Sequence, residues 1–155
     1  MKYEWRKHEK EVYGMKQTPM VIEVPAQQFI MIDGISNPNH QAFSDQVSAL
    51  FSLAYAIKMG YKNIQDYTVY PLEGIWRQTQ DNEKLDKNLL EYTLMIRQPD
   101  FITQDMFFES LERVKRKKPN PLYNVIKLSL KNLNIDISKI LRLFFVCRAW
   151  HISRW

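Results

Sequence analysis

The sequence is poor in the residues that secreted and disulfide-rich proteins use. Its one cysteine, Cys147, has no partner for an intramolecular disulfide. The N-terminus lacks the basic, apolar and small-residue series that is typical of a signal peptide. We therefore expect a reducing, cytoplasmic location.

Glycine and histidine are also scarce, and they are dispersed. The four glycines are isolated, which excludes a dinucleotide fingerprint or a phosphate loop. The three histidines lie far apart, at residues 8, 40 and 151, without the spacing of a metal site. The sequence predicts neither a metal nor a cofactor.

Long hydrophobic runs are missing as well. The longest apolar stretch, from Ile140 to Cys147, is interrupted by Arg142 and is far shorter than the roughly 20 residues that cross a bilayer. Apolar residues make up 45% of the 155 residues and charged residues 25%, which is typical of one globular domain.

Charge is distributed unevenly along the chain. Residues 1–112 contain 11 Lys or Arg and 16 Asp or Glu, whereas residues 113–155 contain 11 Lys or Arg and only Asp136. The change begins at the basic run from Arg113 to Lys118. The C-terminal part therefore differs in character from the part before it.

Hydrophobic periodicity predicts an α+β fold in which helices cover one face of an antiparallel sheet. An edge-type strand is expected over 21–32, because prolines interrupt it. A helix follows over 43–57, then strands over 67–76 and 90–97 joined as a hairpin by a polar loop. Thr103 is the predicted N-cap of a second helix that ends before Pro119.

One segment combines aromatic residues with a carboxylate: Tyr70-Pro71-Leu72-Glu73-Gly74-Ile75-Trp76. A carboxylate among aromatic rings can neutralise a cationic ligand, or, when desolvated, exchange a proton at neutral pH. Alternatively, the rings are ordinary core residues and Glu73 is a solvated turn residue.

This segment, followed by Thr-Leu-Met-Ile-Arg-Gln-Pro at residues 93–99, resembles the paired signature of the GyrI-like family of small-molecule-binding domains. Asp33-Gly34, Asn37-Pro38-Asn39 and the Lys-Lys-Pro-Asn-Pro-Leu run at 117–122 are similar to that family too. The resemblance covers about residues 1–123. It implies a duplicated strand-helix-strand-strand unit with a cleft for bulky, often cationic compounds, and some members open strained cyclopropanoid genotoxins by adding water.

The resemblance implies pocket residues at the matching positions. Glu73 is the candidate catalytic residue, and the candidate ligand-binding residues are Tyr70, Trp76, Met95 and Arg97. Met95 and Arg97 are expected on one strand face, with Leu94 and Ile96 on the other. The leading function is binding of a lipophilic, cationic small molecule, and the alternative is hydrolysis of strained cyclopropanoids.

Residues 124–155 match no motif of that family, so the second repeat is expected to be missing or degenerate. A frameshifted or truncated product would account for the basic tail, and we expect it to be helical or irregular and the chain to self-associate. A basic amphipathic helix for a membrane surface is an alternative. Nucleic-acid binding is disfavoured, because no reading helix is recognisable.

Overall fold

The computed structural model describes residues 1–13, 23–78 and 90–132 of the chain, and the fold is α+β, as predicted. The elements, in chain order, are α1 (Trp5–His8), α2 (Lys10–Tyr13), β1 (Gln27–Ile35), α3 (Gln41–Tyr61), β2 (Leu72–Gln78), β3 (Leu90–Arg97), α4 (Gln104–Lys117), a 3-10 turn (Pro121–Asn124) and β4 (Lys127–Lys131).

The four strands form one antiparallel sheet in the order β2-β3-β1-β4. β1 is thus an interior strand, and the prediction of an edge strand over 21–32 is wrong. The strand begins at Gln27, after Pro25, so no proline interrupts its ladder. Val21 and Ile22 lie outside the described residues.

The predicted hairpin is confirmed, because β2 pairs with β3 from Leu72 opposite Ile96 to Gln78 opposite Leu90. Its first strand starts later than predicted. Pro71 has no N–H to donate to a ladder, and the strand begins just after it. Tyr67 instead forms an isolated parallel bridge with Tyr3.

α3 and α4 pack on one face of the sheet, as predicted. Thr103 caps α4 by accepting a hydrogen bond from the Met106 N–H at 3.3 Å. The core on this helix-covered face is built from alternate strand residues and from one side of each helix: Ile30, Ile32, Leu94 and Ile96 of the sheet, Leu50, Leu53 and Ile57 of α3, and Phe107, Leu111 and Val114 of α4. Within the described ranges, no helix has the length and apolar content needed to cross a membrane.

The opposite face of the sheet has a smaller apolar cluster of its own. Phe29, Met31 and Met95 are almost completely buried there, and Ile75 packs against them. Both faces of β1 are therefore buried, since Ile30 and Ile32 point to the helices. We call this second side the open face, because neither α3 nor α4 contributes to its cluster.

The start of the C-terminal part differs from the prediction of a helical or irregular tail. Residues 127–131 are strand β4, which pairs with β1 from Lys127 opposite Met31 to Lys131 opposite Gln27. Leu128 is buried in the main core, which explains why this short alternating segment adopts an extended conformation. Residues 133–155, with the proposed amphipathic helix, lie outside the described residues.

Gly34 provides a test of the close packing between β1 and β3. A Cβ atom at Gly34 would lie 2.5 Å from the Tyr92 ring, which is buried and whose hydroxyl donates to Gln46 at 2.7 Å. We expect Gly34→Ala to lower the free energy of unfolding by about 1–3 kcal/mol, the usual cost of overpacking. Urea unfolding measures it.

Gly60→Ala is the matched control. At Gly60 a Cβ would approach only the mobile end of Arg113, at 2.5 Å, and alanine favours the helix that Gly60 occupies. If both substitutions change the free energy of unfolding by the same sign and size, the contact with Tyr92 is not the reason why residue 34 must be a glycine.

Candidate functional site

A cluster of polar and aromatic side chains lies at the end of the sheet where β2 begins and β3 ends. We call it the Glu73 cluster; its members are Glu9, Tyr13, Tyr70, Glu73 and Arg97. Arg97 lies on the open face, since it is paired with Phe29 in the β1–β3 register. Glu73 shares that face, being paired with Met95.

Hydrogen bonds hold the N-terminal segment against residues 66–69, which precede β2. The Tyr3 N–H donates to the Asp66 carbonyl at 2.7 Å, and the Thr68 N–H donates to the Tyr3 carbonyl at 2.9 Å. The indole N–H of Trp5 donates to the Val69 carbonyl at 3.0 Å. These three bonds fix α1 and α2 beside the residues that lead into β2.

Aromatic rings fill the space between the N-terminal helices and Tyr70. The Trp5 ring is stacked near the Tyr70 ring, with centroids 6.1 Å apart, and Tyr13 is tilted against both, at 5.0 Å from Trp5 and 5.9 Å from Tyr70. The guanidinium of Arg97 lies over the Tyr70 ring, 4.8 Å from its centroid, in a cation–π geometry. The cluster thus has an apolar aromatic wall.

Three donors converge on the Glu9 carboxylate. The hydroxyls of Tyr3 and Tyr70 donate to Oε1 at 2.9 and 2.8 Å, and Arg97 Nη1 forms an ion pair with Oε2. Only 12% of the Arg97 side chain and 16% of the Glu9 side chain are exposed, so solvent screens this pair weakly. Breaking it would leave one charge poorly compensated.

The surroundings of Glu73 shift the protonation of its carboxyl. Burial raises the pKa of the Glu73 carboxyl to about 7, although a hydrogen bond from Tyr13 and the charge of Arg97 act in the opposite direction. The Tyr13 hydroxyl donates to Glu73 Oε1 at 3.3 Å. At neutral pH the Glu73 carboxyl therefore exists in both protonation states.

Tyr13, Tyr70 and Arg97 keep their usual charge at neutral pH. Burial and the neighbouring Glu73 charge raise the pKa of Tyr13, and burial and Glu9 raise that of Tyr70, so both phenols stay neutral. Burial alone would lower the pKa of Arg97, but Tyr13, Tyr70 and Glu9 outweigh it and raise this pKa. Glu73 is the member of the cluster poised to exchange a proton at neutral pH.

The structure brings three of the five predicted site residues together: Tyr70, Glu73 and Arg97. Met95, directly opposite Glu73 in the ladder, is fully buried in the apolar cluster of the open face. Met95 and Arg97 share a strand face, and Leu94 and Ile96 share the other, as predicted.

Trp76 lies elsewhere. It is on the helix-covered side of the sheet, where its ring packs near those of Phe43 at 5.7 Å and Tyr92 at 5.1 Å. The structure therefore separates Trp76 from the Glu73 cluster, and a role for Trp76 in ligand binding stays a prediction.

Sequence reasoning missed Glu9 and Tyr13. Both lie in the N-terminal stretch, where aromatic residues alternate with charges without a clear period. That mixture was the available clue, but contacts between residues about 60 to 90 positions apart cannot be read from local spacing.

The open face also has a cavity of about 380 Å³ close to the cluster. Its lining includes Ile75, two residues after Glu73 and on the same strand face, which places the two side chains roughly 7 Å apart. Charged residues surround its far side: Asp33, Arg77 and Glu91. Its volume is within the range of small-molecule sites, and its lining is open to solvent and rich in charged side chains.

A metal role has no support in the part of the chain that the structure describes, where no three His, Cys, Asp or Glu side chains are grouped as ligands could be. The chemistry that these residues offer is proton exchange by Glu73, hydrogen bonding by Tyr13 and aromatic contact with a flat apolar molecule.

Solved structures of two Listeria innocua proteins share this arrangement of elements. An uncharacterized conserved protein from that organism superposes with a TM-score of 0.77 and 31% identity, over 84% of this chain and 67% of its own. A hydrolase from Listeria innocua superposes with a TM-score of 0.73 and 30% identity, over 84% of this chain and 68% of its own. This chain belongs to their family.

A third family member is also described as a hydrolase from Listeria innocua; it has a TM-score of 0.76 and 32% identity, over 85% of this chain and 67% of its own. No family profile and no curated protein matches the chain. Membership of this family thus rests on sequence identity and shared fold together.

The raised pKa of Glu73 predicts how stability depends on pH. The folded state favours the neutral carboxyl of Glu73. Its contribution to the free energy of unfolding is therefore fully present below pH 4.5, the ordinary pKa of a glutamate, and is lost as pH rises through about 7. We expect Glu73→Gln, a neutral isostere, to be more stable than the parent chain at pH 8 by on the order of 3 kcal/mol. The two proteins should be equal at about pH 4.

Urea unfolding at both pH values measures this difference. Glu112→Gln, the same substitution at an exposed position on α4, controls for general charge effects. If the difference in stability between Glu73→Gln and the parent chain is the same at pH 8 as at pH 4, Glu73 ionises freely in the folded protein.

Proposed function

We propose that this chain is a GyrI-like domain that binds a lipophilic organic molecule on the open face of the sheet and hydrolyses it, with Glu73 as the proton donor. The observation that carries the proposal is the Glu73 carboxyl, whose pKa of about 7 leaves a transferable proton at neutral pH. The family relatives that are described as hydrolases support it.

The neighbouring residues suit such a substrate. The half-buried Tyr13 supplies aromatic surface beside Glu73 and is backed by the buried rings of Tyr70 and Trp5, and the adjacent cavity beside Ile75 can take the body of a molecule whose reacting end lies at Glu73. Tyr13 donates to one carboxyl oxygen of Glu73. That contact orients the carboxyl, which leaves the other oxygen to carry the proton.

A strained cyclopropane conjugated to a dienone is the substrate class that the GyrI-like resemblance implies. In its hydrolysis, the water oxygen forms a bond to a ring CH2 carbon and the strained C–C bond breaks. The electron pair of that bond moves to the conjugated carbonyl oxygen, which takes the Glu73 proton and becomes a phenol. The proton that the water loses returns to Glu73.

The test is turnover of a chromogenic spirocyclopropyl dienone, followed by the absorbance of the phenol. We expect Glu73→Gln to lower kcat/KM by about 10²- to 10⁴-fold, the usual contribution of a general acid. We also expect kcat/KM of the parent chain to fall as pH rises through about 7, because the donor is then ionised. Glu112→Gln should match the parent chain.

Turnover that stays within about twofold after Glu73→Gln, in a protein that keeps its fold by circular dichroism, would count against Glu73. A rate that rises through pH 7 would instead make Glu73 the base that accepts a proton from water.

The second candidate is binding of a lipophilic cation without turnover, with Glu73 as its counter-ion. The Arg97 guanidinium over the Tyr70 ring favours it, since the same wall already accommodates a delocalised cation. This candidate predicts the opposite dependence on pH. Affinity for the cation should rise as pH increases through about 7, because Glu73 must be ionised to attract it.

Ethidium, a planar cation, and phenanthridine, a related neutral molecule, distinguish charge from shape. Between pH 6 and 8 the ionised fraction of Glu73 rises about tenfold, so we expect ethidium affinity to rise by up to tenfold and phenanthridine affinity to stay constant. Fluorescence titration measures both. Equal pH dependence for the two molecules, or none for either, would exclude a counter-ion role.

A further inference from the structure

Arg97 has two carboxylates within its reach but pairs with one. Glu73 and Arg97 are diagonal neighbours on adjacent strands, because Glu73 is paired with Met95, two residues before Arg97. Such neighbours lie roughly 7–8 Å apart at the backbone, a distance that an arginine side chain spans easily. The Arg97 guanidinium nevertheless forms its ion pair with Glu9.

Two tyrosines hold Glu9 where it captures that guanidinium. The hydroxyls of Tyr3 and Tyr70 both donate to Oε1, which leaves Oε2 for Arg97. Tyr3 is itself fixed by backbone bonds to Asp66 and Thr68. Two hydroxyl groups therefore hold the Glu9 carboxylate in the position where Arg97 binds it.

Tyr70 also restrains Arg97 directly. Its ring lies under the guanidinium while its hydroxyl donates to the same carboxylate that the guanidinium binds. Tyr70 thus contacts both the Arg97 guanidinium and its counter-ion, the Glu9 carboxylate. A guanidinium that moved to Glu73 would lose both the ring contact and the Glu9 pair.

Glu73, by contrast, has a neutral partner. The groups that act on its carboxyl are Tyr13 from α2, which donates a hydrogen bond, and Arg97 from β3, whose charge acts from a distance. Arg77, on the same strand face four residues along β2, is exposed and lines the adjacent cavity. A direct guanidinium contact would favour the ionised carboxylate strongly.

We propose that Glu9 is a positioning residue that captures the Arg97 guanidinium and so prevents the Arg97–Glu73 ion pair that would keep Glu73 ionised. This inference deepens the proposed function and rests on it, since it explains how a carboxyl beside an arginine remains a proton donor. Glu9 need not contact the substrate, because it acts through Arg97.

The experiment is a carbon-13 NMR titration of the Glu73 carboxyl in the full chain without any ligand. We expect Glu9→Gln to lower the pKa of Glu73 by about one unit, because Arg97 then turns to the remaining carboxylate. Glu4→Gln is the matched control: it removes a carboxylate from the same segment, one that pairs with Lys7 instead. It should leave the Glu73 titration unchanged.

Removal of a negative charge can also lower the pKa of Glu73 through the field alone, so the titration is repeated with Arg97→Met. If Glu9 acts through Arg97, the Glu9→Gln shift should shrink to less than half in that background. An equal shift in both backgrounds, or no shift in the parent background, would overturn the inference.

Glu9→Asp separates position from charge and replaces Glu9→Gln if that variant does not fold. It keeps the charge but withdraws the carboxylate from Arg97 by one methylene, so we expect a smaller downward shift that is still larger than that of Glu4→Gln. No shift would contradict a positioning role. Because the titration needs no substrate, it stays informative even if Glu73→Gln retains full turnover, the result that would refute the proposed function alone.

Discussion

The position of β1 between β3 and β4 determines which side chains of this protein meet. An interior strand buries both of its faces, so alternate residues of β1 belong to two separate apolar clusters, Ile30 and Ile32 under the helices and Phe29 and Met31 on the other side. Residues that pair across neighbouring strands face the same side of the sheet, so the alternation of β1 side chains also determines which residues of β3 and β2 face each side. Glu73 and Arg97 consequently share the open face, while Trp76 is half-buried beside Tyr92 and Phe43 on the helix-covered face.

The N-terminal segment completes the polar cluster at one end of the open face. Residues 1–13 form two single-turn helices, too short to be stable alone. Their stability comes from contacts with the rest of the chain: the Tyr3 backbone bonds, the buried Trp5 ring and the ion pair of Glu9 with Arg97. The same contacts that anchor the segment supply the polar half of the site, so the site and the docking of this segment are energetically coupled.

Local patterns in the sequence predicted the elements of the fold well where one periodicity dominates. Leu90 to Arg97 alternates cleanly, and α4 has a cap, an apolar stripe and a basic end, so both were predicted close to their observed bounds. Errors arose where proline or composition was given too much weight. Pro25 and Pro71 lie just outside β1 and β2, and the basic composition after residue 113 concealed the strand at 127–131.

The candidate site was predictable only in part, for a different reason. Tyr70, Glu73 and Arg97 could be selected because they stand at matching positions of the motifs that resemble the GyrI-like family, and the β2–β3 hairpin brings these motifs together. Glu9 and Tyr13 could not, since their contacts span 60 to 88 residues and depend on where two short helices dock. Trp76 has the kind of aromatic side chain that ligand pockets use, but strand alternation places it on the face of β2 opposite to Glu73.

Electrostatics explains why the Glu73 carboxyl has a raised pKa although Arg97 belongs to the same cluster. Glu9 receives hydrogen bonds from two tyrosine hydroxyls and forms an ion pair with the Arg97 guanidinium. Glu73 has one long hydrogen bond from Tyr13 and a distant charge, which do not compensate for its burial. A single guanidinium cannot make optimal contacts with both carboxylates, so satisfying one leaves the other under-compensated. The raised pKa of Glu73 is therefore a consequence of unequal competition for Arg97, and any movement of the N-terminal segment, which supplies both Glu9 and Tyr13, would change the charge of Glu73.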